Sequence, residues 1–432
     1  MTLFAARISA LGTENAFKVG DDIARVTARG VDVVRLNLGE PDFDSAPHIN
    51  KEAIAQILRG NSHYADPQGI RPLREAIARH ISRTRGISTD PAQVVVTTGG
   101  KPSIGYTMQA YVNPGDEVIY PSPGFPIYES WVTYVGACPV PLPLREEAAF
   151  TFTADDLAER ITPRTKVIIL CSPSNPTGGV LTQQELSGIA RVIVEKCRPD
   201  VRVYSDEIYE HILFDGVAHH SIAAEPGLRE RTIIATGHSK GFAMTGWRLG
   251  YAVLPTVEEA AVFRQLNINL ISCVPPFIQE AGRVALESPE SVATVEQMVS
   301  AFQGRRDWVV SALNKIDGLR CQNPKGAFYV FPNVAGVCEQ LGILDAYDNL
   351  SDAARIRTSP AGMLQMFLLY RYGVATMDRN SFGRIGADGQ HFLRLSIAAS
   401  LERLREGIGR IERAAADRAG FAKFLTQERL WE

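Results

Sequence analysis

The chain has 432 residues, 45% of them hydrophobic and 22% charged, with 36 glycines and 25 prolines. It can therefore bury a large core, and disordered, collagenous and fibrous classes are excluded. Its 45 basic and 48 acidic residues leave a net charge of −3, so no sequence-wide basic field exists to draw nucleic acid or anionic lipid.

At about 150 residues per domain the length implies two or three folding units, interleaved as α/β enzymes often have them. The first twenty residues carry Arg7, Glu14 and Lys18 and lack the apolar core of a secretory signal. A β-branched run, a polar or glycine turn and a helical stretch then recur along the chain. This is the βαβ rhythm of a parallel sheet. Helical periodicity marks Ile70 to Arg83, and the first strand is Val94 to Thr98. Strands follow at Glu117 to Tyr120, Val167 to Cys171, Val201 to Tyr204 and Thr232 to Thr236, with helices at Thr182 to Lys196 and Glu258 to Leu270. The strands are apolar enough to be covered on both faces. The longest uncharged stretch, Val167 to Gln184, contains Pro173, Pro176, Gly178 and Gly179 and cannot span a membrane as a helix.

After about residue 300 the rhythm changes. A long helix is expected over Ala301 to Ile316, then strands at Leu319 to Cys321, Phe328 to Phe331 and Phe392 to Ile397, forming a smaller α+β unit. Val334 to Arg357 has weak periodicity and reads as a short helix with irregular linker. Six cysteines (138, 171, 197, 273, 321 and 338) stand far apart without metal-ligand or redox spacing. They read as the thiols of a cytoplasmic protein that needs no metal.

Ligands of open parallel sheets sit beyond the carboxyl ends of the strands, and the unusual polar residues collect there. Val94 to Thr98 runs into Gly99-Gly100-Lys101-Pro102-Ser103, whose free amides suit either an anion or a plain tight turn. Val167 to Cys171 leads into Ser172-Pro173-Ser174-Asn175-Pro176-Thr177-Gly178, a stiff turn that holds an amide side chain. Ser205-Asp206-Glu207-Ile208-Tyr209 puts a carboxylate past a buried strand, as a helix cap or as a functional acid. Ser239-Lys240 follows Thr232 to Thr236 and carries one of only nine lysines. Burying an ammonium is costly unless it is paired or neutral, so this position asks for a task. An arginine inside the apolar run Phe392-Leu393-Arg394-Leu395-Ser396 asks for an anion in the same way.

These residues, together with Leu38-Gly39-Glu40-Pro41-Asp42-Phe43, His63-Tyr64 and Gly246-Trp247-Arg248-Leu249-Gly250-Tyr251, resemble the class I aminotransferases of the aspartate-aminotransferase-like group. The likeness runs from Leu36 to about Arg405. It implies a fold-type I architecture: an α/β large domain with a mostly parallel seven-stranded sheet covered by helices (46–298), and a small α+β domain with an N-terminal arm (1–45 and 299–432). It further implies the cofactor pyridoxal 5'-phosphate, an L-amino acid and a 2-oxo acid as substrates, and a homodimer with shared active sites.

By the same resemblance Lys240 holds the coenzyme as a Schiff base and shuttles a proton, Asp206 pairs with its ring nitrogen, and Tyr209 and Asn175 bond its phenolic oxygen. Arg248, Ser239 and the backbone of Gly99, Gly100 and Lys101 hold its phosphate, Phe125 stacks on its ring, and Tyr64 reaches the phosphate of the neighbouring subunit. Arg394 grips the substrate α-carboxylate beside Gly39, with Asn175 close by. Lys101 matches a residue that binds the distal carboxylate in some relatives, which makes aspartate or glutamate a plausible donor and 2-oxoglutarate an acceptor. A phosphate role for Lys101 is open, as are aromatic and branched substrates.

The sequence departs from the family pattern at Gly237, where many relatives have a phosphate-binding serine whose contact would be lost or pass to His238 or Ser239. It departs again at Asp378-Arg379-Asn380, which with Phe17 is expected to set substrate preference. Other reactions of the same scaffold, β-elimination or decarboxylation, remain alternatives, as does, remotely, a cofactor-sensing regulator.

Overall fold

The computed structural model describes residues 3–12 and 14–431, with the side chains of 16–18 outside the described residues. Its centre is a seven-stranded sheet of β1 (Val94–Thr98), β2 (Glu117–Ser122), β3 (Cys138–Pro143), β4 (Thr165–Cys171), β5 (Arg202–Asp206), β6 (Thr232–Gly237) and β7 (Leu249–Val253). The order across the sheet is β1-β7-β6-β5-β4-β2-β3. Only β7 runs antiparallel, against both β1 and β6. The other six point their carboxyl ends to one edge.

Period-two alternation explains why the strands are apolar throughout: successive side chains serve opposite faces, and helices cover both. On one face Val95, Val118, Val167, Ile169 and Ile233 pack with Ile104, Met108 and Phe263 from the helices Lys101–Tyr111 and Val257–Leu270. On the other, Ile119, Ile168, Leu170 and Val203 meet Leu186, Ile189 and Ile193 of the helix Gln183–Lys196. That helix starts where Thr182 and Glu185 form a reciprocal capping box. Near β1 and β7, Val94, Val96 and Tyr251 pack on Leu73, Ile77 and Ile81 of the helix Arg71–Arg85.

Two strands of this sheet escape the sequence reading. β3 carries proline at 139, 141 and 143, which argues against a central strand, and it lies at the sheet edge where unpaired positions tolerate proline. β7 follows the Lys240 loop so closely that it reads as part of the motif rather than as a strand.

Beyond the large sheet, Val34–Arg35 pairs in parallel with Val374–Ala375, which joins the N-terminal segment to the C-terminal part. A three-stranded sheet is built from Met377–Asp378, Leu393–Ser396 and Tyr329–Val330. The expected strand at Leu319 to Cys321 is absent, with only Arg320 bridging to Asn333. The long helix spans Pro289–Leu313, starting twelve residues before the expected position at a Ser288 cap with proline in its first turn. It runs through position 298 without a break.

Val334 to Arg357 holds three short helices, Ala335–Gln340, Ile343–Asp348 and Asp352–Arg355. The next helix, Pro360–Tyr372, is buried on nearly all sides, including Met363, Leu364, Phe367, Leu368 and Leu369. An all-round apolar helix has no stripe for periodicity to detect.

Candidate active site

Five parallel strand ends and the small sheet enclose a cavity of about 490 Å³. Its walls include Gly39, Gly100, Lys101, Phe125, Asn175, Asp206, Tyr209, Ser239, Lys240, Arg248 and Arg394. Residues separated by up to 355 positions in the chain thus meet in one place.

Asp206 is the last residue of β5, and a turn follows it rather than the helix a capping role requires. Its Oδ1 accepts a hydrogen bond from the Ile208 amide at 3.3 Å, and its Oδ2 accepts one from the Tyr128 hydroxyl at 2.6 Å. Burial pushes the carboxyl up to about 6, against the opposing pull of Tyr128. Asp206 is only partly covered by surface area because it faces the cavity, and the protein packed around that cavity limits the solvent that reaches it.

Lys240 follows the adjacent strand β6. Its Nζ donates to the Gly39 carbonyl at 2.5 Å and lies 5.7 Å from the Phe328 ring centre. Burial, then the Arg394 charge, lowers the amine to about 8.

Arg394 comes from the small sheet and is 4% exposed. Its guanidinium lies between Tyr329 and Phe382, 4.4 and 4.8 Å from their ring centres. Nη1 donates to Asn175 Oδ1 at 3.1 Å and Nη2 to the Asn37 carbonyl at 2.5 Å, while the buried Nε has no partner among the described residues. A buried guanidinium with an unmet donor and no carboxylate beside it is prepared for an incoming anion.

The β1 turn presents a second anion-seeking surface. Gly100 caps the helix Lys101–Tyr111, and its neighbour Gly99 has φ +83°. A Cβ on Gly99 would stand 2.3 Å from Arg248 Nη2, so the glycine admits the guanidinium close to the helix start. Arg248 itself has φ +56°, a left-handed conformation that costs free energy and collects at functional sites. Phe125, in the loop before the helix Ile127–Tyr134, and Tyr128 of its first turn meet edge to face at 5.7 Å.

Gly99 makes room for Arg248 beside the helix start, and Tyr64 is 90% exposed and away from the cavity of its own chain. Gly237 sits in β6 against Gly250, whose Cα a Cβ would approach to 2.7 Å, so no serine fits there. His238 cannot take over a phosphate contact: it is fully buried with Nε2 3.0 Å from the Gly282 carbonyl, and burial lowers it to about 4. Ser239 does line the cavity.

The Asp378-Arg379-Asn380 segment is structural. Asp378 caps the turn at Ser381, and Arg379 is completely buried, donating to Ser122 Oγ, Gln390 Oε1 and the Gly383 carbonyl. The loop reaches the cavity through Met377, Ser381 and Phe382 instead. Phe17 lies among the side chains outside the described residues.

Among the cavity residues to which the sequence reading gave no role are Tyr128, Tyr329 and Glu14. Tyr128 lies in the first turn of the helix Ile127–Tyr134, in a stretch where an aromatic residue reads as core. Tyr329, whose hydroxyl meets that of Tyr209 at 2.7 Å, sits in an apolar strand where it reads as core. Glu14 pairs with Lys101 across 87 positions, and no local signal announces it.

Residues 31–411 match the family model described as Aminotransferase class I and II. The chain is 36% identical over 411 residues to the probable aspartate/prephenate aminotransferase of Aquifex aeolicus, covering 95% of this chain and 98% of the relative. It is 35% identical to the aromatic-amino-acid aminotransferase 2 of Thermococcus litoralis, covering 90% and 94%. The crystal structure of the aspartate aminotransferase from Rhizobium meliloti superposes with a TM-score of 0.85 at 34% identity, covering 96% of this chain and 99% of that one. With this fold, this cavity and these relatives, the chain belongs to the class I and II aminotransferases, enzymes that move an amino group between an amino acid and a 2-oxo acid.

Proposed function

We propose that the chain uses pyridoxal 5'-phosphate to move the amino group of an aspartate-like L-amino acid to a 2-oxo acid such as 2-oxoglutarate. The observation that carries the reading is the meeting of Lys240 and Asp206, from adjacent strand ends, in one cavity with the unsatisfied Arg394. The donor set fits the coenzyme: a low-pKa amine, a buried carboxylate, and a helix start beside Arg248 for a phosphate. When bound, the coenzyme supplies an electron sink for the bond broken at the substrate α-carbon.

Each residue then has a task of its own. Arg394 binds and orients the α-carboxylate through its planar fork. Neutralising Arg394 removes a charge that lowers the Lys240 pKa, so substrate binding makes Nζ a stronger base when a proton must be taken. Asp206 holds negative charge that a ring nitrogen bearing a proton requires, and Tyr128 steadies it. Tyr209 donates or accepts through the hydroxyl it shares with Tyr329. Phe125 gives the ring a flat apolar neighbour. Gly39 offers the carbonyl on which Nζ rests.

An aspartate-like donor is supported by the names of several relatives and by Lys101 on the cavity wall. A homodimer is supported by the exposure of Tyr64, which has no role in its own cavity. The same reading divides the chain into a large domain at 46–298 and a small one at 1–45 and 299–432, with the boundary inside the helix Pro289–Leu313. The cytoplasmic placement rests on six free cysteines. No helix among the described residues is long and apolar enough to cross a membrane.

The test is product analysis. Aspartate with 2-oxoglutarate should yield oxaloacetate and glutamate, and Lys240→Ala should lose turnover by about a thousandfold while retaining coenzyme. Alanine and carbon dioxide as products, or a Lys240→Ala variant with parental turnover, would overturn the reading.

A further inference from the structure

Four cations line the cavity: Lys101, Lys240, Arg248 and Arg394. Among the described residues only Lys101 has a carboxylate partner, Glu14. Lys240 and Arg394 rest on carbonyl oxygens, and Arg248 on the Thr245 carbonyl. The chain thus brings its own acid to one of the cations a substrate could use.

Glu14 is held in place from two sides. It directly precedes the helix Asn15–Ala28 and its side chain pairs with Lys101 of the large sheet's first helix, while the next residue, Asn15, donates from Nδ2 to Ser381 Oγ at 3.2 Å. Ser381 in turn donates to Asp378 Oδ1 at 2.5 Å. The N-terminal segment therefore lies along the cavity wall, tied by Glu14 to the start of the helix Lys101–Tyr111 and by Asn15 to the turn after Met377–Asp378. Glu14 is mostly covered (19% exposed), whereas Lys101 is more open at 44%. The ammonium also stands 5.6 Å from the Phe125 ring centre.

From this geometry we propose that Glu14 determines substrate specificity by competing with a second substrate carboxylate for Lys101. With Glu14 in place, the Lys101 subsite is neutral and accepts an uncharged side chain. A dicarboxylic substrate gains the ammonium only by displacing Glu14, which then leaves toward solvent with its negative charge. The pair is an internal stand-in for the distal carboxylate, and its strength sets how far the enzyme favours dicarboxylic over aromatic donors. This inference rests on the proposed transamination and names the residue that divides its substrates.

The experiment compares aspartate and phenylalanine as donors to the holoenzyme, each followed as a half-reaction, in parent and Glu14→Gln proteins. Releasing a partly exposed ion pair is expected to raise the aspartate-to-phenylalanine ratio of kcat/KM about fivefold, through KM rather than kcat. Calorimetric binding of succinate to the holoenzyme should tighten by a similar factor, and 3-phenylpropionate should not gain in parallel. The succinate gain should vanish in the Lys101→Met background. An unchanged or falling ratio, or a succinate gain that survives Lys101→Met, overturns the inference. A parent protein that takes the amino group of neither donor overturns the functional reading and this inference with it. A parent active on both donors with an unmoved ratio overturns this inference alone.

Discussion

Asp206→Asn should make the coenzyme-free protein more stable at neutral pH while removing its activity. In the folded chain the Asp206 carboxyl titrates near 6 instead of its ordinary 3.8, chiefly because burial penalises its ionised form. That rise corresponds to roughly 3 kcal/mol of strain in the ionised state, discounted to about 2 kcal/mol because the carboxylate faces a cavity that water can enter. The sign follows from linkage. A folded-state pKa above the unfolded one favours folding with the neutral acid, fully below pH 3.8, and that benefit is lost as pH climbs through 6. The advantage of Asp206→Asn should therefore be near zero at pH 3.5, grow between 4 and 6, and level off above. Urea unfolding of the coenzyme-free proteins at a series of pH values measures it. With saturating pyridoxal phosphate the order should reverse, since a ligand that binds only the folded state stabilises the parent more. A difference independent of pH, or an Asp206→Asn protein less stable at pH 7.5, would refute the assignment of Asp206 as a carboxylate held under strain for a cationic partner.

Tyr128→Phe removes the donor on Asp206 Oδ2, a bond to a charged group worth about 1.5–3 kcal/mol. The acidic limb of the pH–rate profile should move upward by about one pH unit and kcat/KM should fall roughly tenfold, and an unmoved limb would separate Tyr128 from Asp206 function. Arg394→Lys keeps the charge but loses the fork between Tyr329 and Phe382. KM for every donor should rise by about tenfold or more regardless of side chain, as steady-state kinetics on two donors would show.

What could be read from the sequence divides along a physical line. Lys240, Asp206, Asn175 and Arg394 stood out because each is a polar group at the end of, or inside, an apolar run, where the cost of burial demands a reason. The strand ends that gather them followed from the βαβ rhythm. Tyr128 and Tyr329 were hidden because an aromatic residue in a core-like stretch carries no such cost. Glu14 was hidden because its partner is fixed by the closure of the N-terminal segment over the large sheet, a contact without any local pattern. Arg379 misled in the opposite direction. A charge in a departing motif suggested the substrate pocket, but hydrogen bonds to Gln390 and Gly383 and across to Ser122 at the end of β2 satisfy it. The proline-laced strand β3 and the uniformly buried helix Pro360–Tyr372 likewise lack the alternation or stripe on which periodicity depends.

The most direct test is to load the protein with pyridoxal phosphate, reduce it with borohydride and map the modified peptide by mass spectrometry. The account predicts a pyridoxyl group on Lys240, in the peptide that follows Thr232–Gly237. Modification spread over other lysines, with Lys240 untouched, would contradict it.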